Sequence, residues 1–377
     1  MPAKPRVLGF GTYDKRLHPR IGTILEGLGQ QGFEVRELNR PLGMSTADKV
    51  SVLKHPWRVF GFAVRILSKW GGLVRGASHY RGRNRPDFVV VGYMGHLDVL
   101  LARVLFRQSI VVLDHLIFAA GTAKDRGTSA GVKTALLGLL DNVALRSADV
   151  IAVDTEEHRQ LVPSALRSRA VVVPVGAPAA WFEARRADRS VDGAMTPLRI
   201  IFFGLFTPLQ GTKLVAQAIH LAFQGQADLH VTLVGDGQDA DEVRRILVGD
   251  PVEWIPWVEP EELPSLVASF DVCLGIFGDT PKAKAVVPNK VYQGAAAGCA
   301  VITSSTTPQS RVLGDVAVLV STEGPDELVQ AILRFEEDLT YLETMRERAA
   351  RLADERFTAQ QIVSDLVTHL SEKGSTR

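Results

Sequence analysis

The chain has 377 residues, of which 46% are hydrophobic and 23% charged, and this composition excludes disordered, collagen-like and coiled-coil chains. At ~150 residues per domain, the length predicts two or three domains. The absence of an uncharged apolar run of about 18 residues, and of a signal-peptide pattern, argues against an integral membrane or secreted protein. Two cysteines, Cys273 and Cys299, are too few for a disulfide framework or a zinc cluster. We therefore expect a cytoplasmic protein with reduced thiols.

The net charge of +1 conceals an uneven distribution along the chain. Residues 1–185 contain 26 Lys and Arg against 15 Asp and Glu, which leaves 17 against 27 for the remainder. The first part therefore carries +11 and the second −10. This asymmetry predicts two domains with different partners, the first of which meets something anionic such as a phosphate-bearing substrate, nucleic acid or a membrane surface.

Short apolar runs typical of strands alternate with helical patterns throughout the chain. In the first part the runs lie at residues 6–10, 33–38, 87–93, 109–113, 150–153 and 170–175, and the helical patterns include 21–31, 97–106 and 132–147. In the second part the runs lie at residues 199–204, 230–235, 252–255, 271–277, 300–303 and 316–320. This alternation predicts an α/β fold with two doubly wound parallel sheets, each covered by helices on both faces.

The segment between the second and third predicted strands is strongly basic. Residues 49–86 contain no acidic residue, and nine Lys and Arg interleave with aromatic residues over positions 49–85. Trp57, Phe60, Val64 and Leu67 share one side of a helical wheel, which predicts an amphipathic helix from about Pro56 to Gly71–Gly72. Its apolar side either packs on the sheet or docks on anionic lipid. Nucleic acid is a weaker alternative, because no recognised nucleic-acid-binding module accompanies the charge.

Ligands of doubly wound sheets bind beyond the carboxyl ends of the strands, so residues that follow strands are candidates for a site. Gly9–Asp14 begins like a dinucleotide fingerprint but has Asp in place of the third glycine, which disfavours a dehydrogenase. Asp239 and Asp241 resemble a metal-binding pair, yet they open a helical run and are better explained as acids at a helix start. No zinc-protease, phosphate-loop or esterase motif is present.

The second part of the chain carries motifs in a recognisable order. The segments FFGLFTPLQGTKLVAQAI, HVTLVGDGQDADEVRRIL, VEWIPWVEPEELPSLVASFDVCLGIF and VPNKVYQGAAAGCAVITSSTTPQSRVLGDVAVLV resemble the nucleotide-sugar-binding domain of family-four retaining glycosyltransferases of the GT-B fold. HPRIGTILEGLGQQGFEV and LLDNVALRSADVIAVDTEEHRQLV resemble the acceptor domain of that family more weakly. The resemblance implies two Rossmann-like domains facing across a cleft. They are an acceptor domain at 1–183 and a donor domain at 197–355, with a linker at 184–196 and a helix at 356–377 that returns to the first domain.

Several family positions are changed here. The basic pair that grips the diphosphate in the family corresponds to Leu205 and Gln210, with Lys213 three residues further on. The two glutamates of the family's Glu-seven-residues-Glu signature correspond to Ala285 and Gln293. The chain thus resembles a variant branch of the family, and a non-catalytic sugar-nucleotide-binding protein is an alternative interpretation. A GT-B-fold sugar-nucleotide epimerase is another.

A donor site can still be built from the remaining residues. The helix predicted at 289–297 would direct free N–H groups and the charge of Lys290 at a diphosphate. Gln293 would hydrogen-bond ribose hydroxyls, and Trp257 either stacks on the base or packs in the core. The full set of donor-binding candidates is Gly204, Gly235, Asp236, Gly237, Trp257, Val258, Lys282, Lys284, Pro288, Asn289 and Gln293, with Lys290 also a catalytic candidate.

On the acceptor side, Asp114 and His115 end a strand and could orient or deprotonate the acceptor hydroxyl, which makes them the other catalytic candidates. Gly11, Thr12, His18, His96 and Asp98 are candidates for acceptor binding, although a structural role is equally compatible with each of the polar ones. The resemblance implies same-face retaining transfer from a UDP- or GDP-sugar, without a cofactor or metal. The acceptor would be a glycan or a lipid-linked molecule of envelope polysaccharide or glycoconjugate synthesis.

Overall fold

The computed structural model describes residues 4–16, 18–43, 56–93, 95–116, 118, 132–185 and 197–375. Contacts divide the chain into two compact units. Unit 1 comprises Met1–Val173 together with Val363–Arg377, and unit 2 comprises Pro174–Ile362. Most of the predicted linker, residues 186–196, lies outside the described residues. None of the helices in the described ranges combines the length and the apolar character needed to cross a membrane.

Unit 1 contains a six-stranded parallel sheet in the order β2-β1-β3-β4-β5-β6. Its strands are β1 (Arg6–Gly11), β2 (Glu34–Asn39), β3 (Phe88–Val91), β4 (Ile110–Asp114), β5 (Val150–Val153) and β6 (Ala170–Val172). The central strands β3, β4 and β5 are buried along their whole length. Continuous β-branched runs therefore became strands covered on both faces, as the sequence predicts.

The helices described in the first 173 residues are α1 (Arg20–Gln30), α2 (Pro56–Ala77), α3 (Asp98–Leu105), α4 (Val132–Ser147) and α5 (Glu156–Leu161). The helices α2, α3 and α4 lie side by side on one face of the sheet. Their buried residues join alternate residues of β1, β3 and β4 in one core, which includes Leu8, Phe10, Leu73, Val99 and Leu145.

The predicted end of α2 was wrong. The helix continues past Gly71 and Gly72 to Ala77. Gly72 and Gly76 permit close packing within the helix: a side chain at Gly72 would contact Arg40, and one at Gly76 would overlap Leu38 of β2.

Of the two alternatives for the apolar side of α2, packing on the sheet is the one that the described residues contradict. Ile66, Leu73 and Ala77 are buried, whereas Phe60, Val64 and Leu67 of the predicted apolar side are exposed. Residues 49–55 of the basic segment and the side chain of Trp57 lie outside the described part.

Unit 2 contains a second six-stranded parallel sheet, in the order β12-β11-β10-β7-β8-β9. Its strands are β7 (Leu198–Phe203), β8 (Leu229–Val234), β9 (Val252–Ile255), β10 (Val272–Leu274), β11 (Ala300–Ser304) and β12 (Val318–Val320). Together the two sheets confirm the predicted α/β fold with two Rossmann-like domains. The predicted runs at 271–277 and 316–320 were longer than the strands that form.

The helices described in unit 2 are α6 (Ala179–Glu183), α7 (Thr212–Gln224), α8 (Ala240–Ile246), α9 (Leu263–Val267), α10 (Asn289–Ala296), α11 (Thr307–Leu313), α12 (Asp326–Glu337), α13 (Leu339–Arg356) and α14 (Ala359–Ile362). A core of buried residues from β7, β8, β10 and β11 packs against α7, α8 and α12. The last described helix, α15 (Ser364–Ser375), belongs to unit 1 and packs against β6.

Candidate functional site

Lys290 lies in the first turn of α10 and its side chain is buried. Its Nζ atom donates a hydrogen bond to Oε1 of Gln210 at 2.7 Å and lies 3.5 Å from the ring centre of Phe202. The residue that precedes the helix, Pro288, is extended and makes no side-chain cap. The first N–H groups of α10 therefore have no side-chain acceptor at their cap, and they lie beside a buried ammonium group.

The environment of Lys290 is unusual for a lysine. Among the described residues, no carboxylate forms an ion pair with its Nζ atom, and the exposed fraction of the residue is only 4%. Burial lowers the pKa of Lys290 to about 7, against a small opposing effect of Cys273. A buried cation without a protein anion is stabilised by an anionic ligand, so this geometry suits the phosphates of a bound nucleotide.

Two glycines keep the backbone close to this lysine. Gly204 follows β7 at φ +137°, and a Cβ there would lie 3.3 Å from Nζ of Lys290. Gly235 follows the neighbouring strand β8 at φ +127°, and a Cβ there would overlap the carbonyl oxygen of Gly204. The ends of β7 and β8 therefore meet in a compact backbone surface next to Lys290.

The other lysines of the predicted donor loop are placed differently. Lys284 is exposed and pairs with Asp279 at 2.5 Å. Lys282 is half-buried in the turn before it. Lys213, the alternative cation near the end of β7, pairs with Glu242 at 2.5 Å. Lys213 and Lys284 are thus each paired with a carboxylate, whereas the described hydrogen bond of Lys290 goes to a neutral amide.

The remaining donor candidates are distributed around the same edge of the sheet. Gln293 is buried one turn after Asn289, which is exposed. Asp236 accepts a hydrogen bond from N of Gly237 at 2.8 Å and so stabilises its own turn. Trp257 is 64% exposed, so the alternative of core packing was wrong for this residue. The adjacent Val258 is half-buried.

The two aspartates at the start of α8 do not form a pair. Asp239 is buried near Lys213, whereas the side chain of Asp241 is 97% exposed and lies beside Arg244. Asp241 and Glu242 occupy the first turn of α8, where negative charge is favourable. This arrangement supports the interpretation of these acids as a helix start.

In unit 1, Asp98 holds three structural elements together. Its Oδ2 atom accepts hydrogen bonds from N and Oγ1 of Thr12, both at 2.8 Å. Its Oδ1 atom accepts a hydrogen bond from Nε1 of Trp70 at 2.8 Å. A Cβ at Gly11 would lie 3.0 Å from Oδ2. Both carboxylate oxygens are therefore engaged by the protein, which favours the structural role over acceptor binding for Asp98 and Thr12.

One carboxylate oxygen of Asp114 has a protein partner, whereas its Oδ2 atom has none among the described residues. Asp114 is buried, and its Oδ1 atom accepts a hydrogen bond from Nε of Arg20 at 2.8 Å. Burial raises the pKa of Asp114, while Arg20 opposes that shift. Arg20, which the sequence analysis did not single out, comes from the first turn of α1. The ion pair favours a structural role for Asp114 over a role as a base.

His115, directly after β4, has a ring nitrogen that is available for an acceptor contact. It is 1% exposed, and its Nε2 atom has no hydrogen-bond partner. Burial, with a further contribution from His96, lowers the pKa of His115 to about 3, so the ring is neutral at pH 7. His96 packs edge-on against it at 5.0 Å between ring centres and bonds through Nε2 to Asp141 at 2.9 Å.

Asp141, on α4, was not anticipated, because 45 residues separate it from His96. The ligand atoms of His96, His115 and Asp141 lie within 4.8 Å of one another, and their types would suit zinc. The bond between His96 and Asp141 occupies two of those ligand atoms, so a cation would have to displace it. His18, the remaining acceptor candidate, is half-buried and stacks on Tyr93 with ring centres 3.8 Å apart.

Comparison with protein families assigns the second unit. Residues 197–338 match the family model described as "Glycosyl transferases group 1". This stretch is therefore similar to a group 1 glycosyltransferase domain. The domain contains β7 to β12, Lys290, and every candidate donor residue. The comparison with curated proteins gave no match.

Three solved structures illustrate the similarity in fold. Sucrose-phosphate synthase from Thermosynechococcus elongatus has a TM-score of 0.69 and 13% identity, with 100% of both chains covered. Anabaena HepE in complex with UDP-glucose has a TM-score of 0.63 and 15% identity, covering 99% of this chain and 100% of that one. A glycosyltransferase from Rickettsia africae has a TM-score of 0.64 and 12% identity, with 98% of both chains covered. These similarities extend the GT-B-like fold over both units.

Proposed function

We propose that the protein is a retaining glycosyltransferase that moves a sugar from a nucleotide-diphosphate sugar to an acceptor hydroxyl. The observation that carries this proposal is the buried Lys290 at the start of α10, beside Gly204 and inside a group 1 domain. A donor diphosphate supplies the negative charge that this ammonium group lacks among the described residues. The structural neighbour HepE, which was solved with UDP and with UDP-glucose, supports a UDP-sugar; a GDP-sugar is the alternative.

In this proposal Lys290 and the N-terminal end of α10 bind the diphosphate and stabilise it as it departs. The developing charge on the leaving group is where such interactions accelerate transfer most. Gln293, one turn into α10, forms hydrogen bonds to the ribose. The exposed ring of Trp257 offers a face on which the base can stack. Because protein cations neutralise the diphosphate, we propose that transfer needs no metal at this position.

Retention is proposed to follow from attack on the same face of the sugar from which the diphosphate leaves. The leaving diphosphate accepts the proton of the acceptor hydroxyl. The positions of the family signature hold Ala285 and Gln293, so neither offers a carboxylate as a nucleophile. The protein contributes positioning and electrostatic stabilisation, and both can be large effects.

We propose that the acceptor binds at the carboxyl edge of the unit 1 sheet, with His115 as its main polar contact. A neutral imidazole can accept a hydrogen bond from a hydroxyl at an unpartnered ring nitrogen. His96 is held by Asp141 next to this ring. The acceptor is a glycan or a lipid-linked molecule of envelope polysaccharide or glycoconjugate synthesis. The basic segment 49–85 supports a peripheral position at the inner face of the cell membrane.

A ligand panel tests the proposal. UDP-, GDP-, ADP- and dTDP-sugars are added to the protein, and the melting temperature is measured together with slow donor hydrolysis. A ligand at about 100 times its Kd should stabilise unit 2 by roughly 2.7 kcal/mol. Stabilisation without hydrolysis or transfer would indicate a non-catalytic binding protein, and conversion of the donor to its epimer would indicate an epimerase. No stabilisation by any of the four donors would contradict the proposal.

A further inference from the structure

The first described turns of α2 expose an apolar stripe. Phe60, Val64 and Leu67 are 76%, 50% and 62% exposed, and at 100° per residue they lie within ~60° of one another. The sheet-facing side of the helix is formed by other residues, namely Ile66, Leu73 and Ala77. The stripe is therefore not part of the core of unit 1, and no described residue buries it.

The stripe lies beyond the carboxyl edge of the unit 1 sheet. Trp70 of α2 marks this edge, because its Nε1 atom bonds to Asp98, which also binds Thr12 directly after β1. From Trp70 the helix runs forward to Ala77 along the sheet and backward to Phe60 away from it. At 1.5 Å per residue, Phe60 lies ~15 Å further along the helix axis than Trp70.

A second helix exposes apolar side chains at the same edge. Leu136 and Leu139 of α4 are 64% and 59% exposed. They precede Asp141, which bonds to His96 directly after β3 and beside His115. Leu136 lies ~7.5 Å along the axis from Asp141, on the side away from the sheet. Apolar residues of α2 and α4 thus project from the edge that holds the proposed acceptor contacts.

The exposed charged residues of the helices α2, α3 and α4 are all basic. The only acidic residues of α2, α3 and α4 are Asp98 and Asp141, and both are buried in hydrogen bonds to the protein. Arg65 and Arg75 are exposed, and Lys69 is half-buried. An apolar projection on helices whose exposed charged residues are all basic is complementary to an anionic lipid surface. A symmetric pair of chains would instead bring like charges together.

We infer that the projecting residues of α2 and α4 insert into the headgroup layer of an anionic bilayer, with Phe60, Leu67, Leu136 and Leu139 as the apolar contacts. Resting on the proposed function, the inference also names the acceptor class: a hydroxyl carried on a lipid anchor, rather than a free glycan. The insertion places the acceptor edge of unit 1 at the membrane surface, where only the headgroup of such an acceptor needs to enter the site.

Co-sedimentation with vesicles tests the insertion without any sugar nucleotide. We compare phosphatidylglycerol-containing vesicles with pure phosphatidylcholine vesicles, for the wild type and for the double variant Phe60→Ser/Leu67→Ser. The wild type should bind the anionic vesicles, and the variant should bind them at least ~tenfold more weakly. Arg65→Glu/Lys69→Glu should also bind more weakly, and added salt should weaken binding of the wild type.

Val104→Ser is the matched control. Val104 is 59% exposed on α3, the helix between α2 and α4, but it lies near the end of that helix, away from the acceptor edge. This variant should bind vesicles as the wild type does, and each variant should keep its melting temperature. Equal pelleting of Phe60→Ser/Leu67→Ser and wild type, or no pelleting of the wild type, would overturn the inference. The inference would also be overturned if the wild type were a dimer in solution and the Phe60→Ser/Leu67→Ser variant a monomer.

Two readouts separate this inference from the proposed function. Lys290→Met should bind vesicles normally, because its substitution lies in unit 2. Phe60→Ser/Leu67→Ser should lose transfer to a vesicle-embedded acceptor but keep the rate of donor hydrolysis. Vesicle binding without any donor hydrolysis by the wild type would contradict the proposed function alone. The wild type and this variant are also compared on a water-soluble acceptor without the lipid anchor. If both use it equally well, and the wild type does not prefer the lipid-linked form, the proposed acceptor class is contradicted.

Discussion

Lys290 Nζ lies 2.7 Å from Oε1 of Gln210, a residue 80 positions earlier in the chain. Gln210 occupies the position at which the resembled family has a lysine. In this chain the ammonium group beside Gly204 comes from the start of α10. The neutral amide at position 210 acts as its hydrogen-bond acceptor.

The first prediction concerns this ammonium group. Lys290→Ala should reduce transfer by ~30- to ~1000-fold, equivalent to about 2 to 4 kcal/mol of transition-state stabilisation, because a charge opposite the leaving diphosphate is lost. Lys284→Ala is the matched control and should have a small effect, since Lys284 is exposed and paired with Asp279. Steady-state kinetics of the two variants provide the measurement. Unchanged turnover in Lys290→Ala would remove this lysine from the donor site.

The second prediction is a pH dependence of donor affinity. With a pKa of about 7 in the free protein, Lys290 loses its proton above neutral pH, whereas a bound diphosphate keeps it protonated. Donor Kd should therefore be constant below pH ~7 and rise above it by up to ~tenfold per pH unit, with proton uptake on binding. Calorimetry in buffers of different ionisation enthalpy measures this uptake. A pH-independent Kd between pH 6 and 9 (roughly the range set by this pKa) would contradict it.

Folding stability should show the opposite trend, because it concerns the protein without donor. The unfolded chain retains the Lys290 proton up to its ordinary pKa of 10.5, whereas the native protein releases it near 7. Between these values the unfolded state binds more protons, so the free energy of unfolding of unit 2 rises with pH. In Lys290→Met this rise should be reduced relative to the wild type, which makes the variant the control for both titrations.

The third prediction is that chelators leave transfer unchanged. Asp239 and Asp241 have different surroundings, and in the proposed function Lys290 supplies the positive charge at the diphosphate. Transfer rates measured with and without EDTA should be equal. Lost activity that manganese restores would show that a metal is needed.

The fourth prediction concerns the buried pair of Arg20 and Asp114. Arg20→Met should lower the free energy of unfolding of unit 1 by about 3 to 5 kcal/mol, because it leaves Asp114 buried without its cation. Arg20→Met/Asp114→Leu should recover much of that loss. Denaturant melts of the three proteins test the coupling, and equal stability of wild type and Arg20→Met would contradict it. Activity of the double variant then shows whether Asp114 has any catalytic role.

The central strands β3, β4 and β5 were predictable because each is a short run of mainly apolar and β-branched residues, and a parallel sheet buries such a run on both faces. The helix α10 and the strand-end glycines followed from equally local signals. The orientation of α2 could not be predicted from local signals, because a helical wheel identifies which residues share a side of the helix but not which side meets the sheet. Phe60 and Leu67 are exposed, and Ile66 is buried, because packing against β2 and α3 selects the other side.

The polar contacts of the site depend on distant partners and were therefore beyond local patterns. Asp98 binds Trp70 across 28 residues and Thr12 across 86, and Arg20 meets Asp114 across 94. The burial of Lys290 depends on Phe202 and Gln210, which come from a strand and a loop far earlier in the chain. Sequence patterns could place these residues at strand ends but not show which were already satisfied by the protein.

The chain enters unit 2 after Val173 and returns to unit 1 at Val363. On α15, Leu366 and Leu370 are fully buried in unit 1, in a helix that packs against β6. During synthesis on the ribosome, unit 2 is therefore complete while unit 1 still lacks part of its core. This order reverses the usual one, in which the N-terminal domain folds first. Unit 1 can therefore complete its core only once residues 363–375 have been made, after every residue of unit 2.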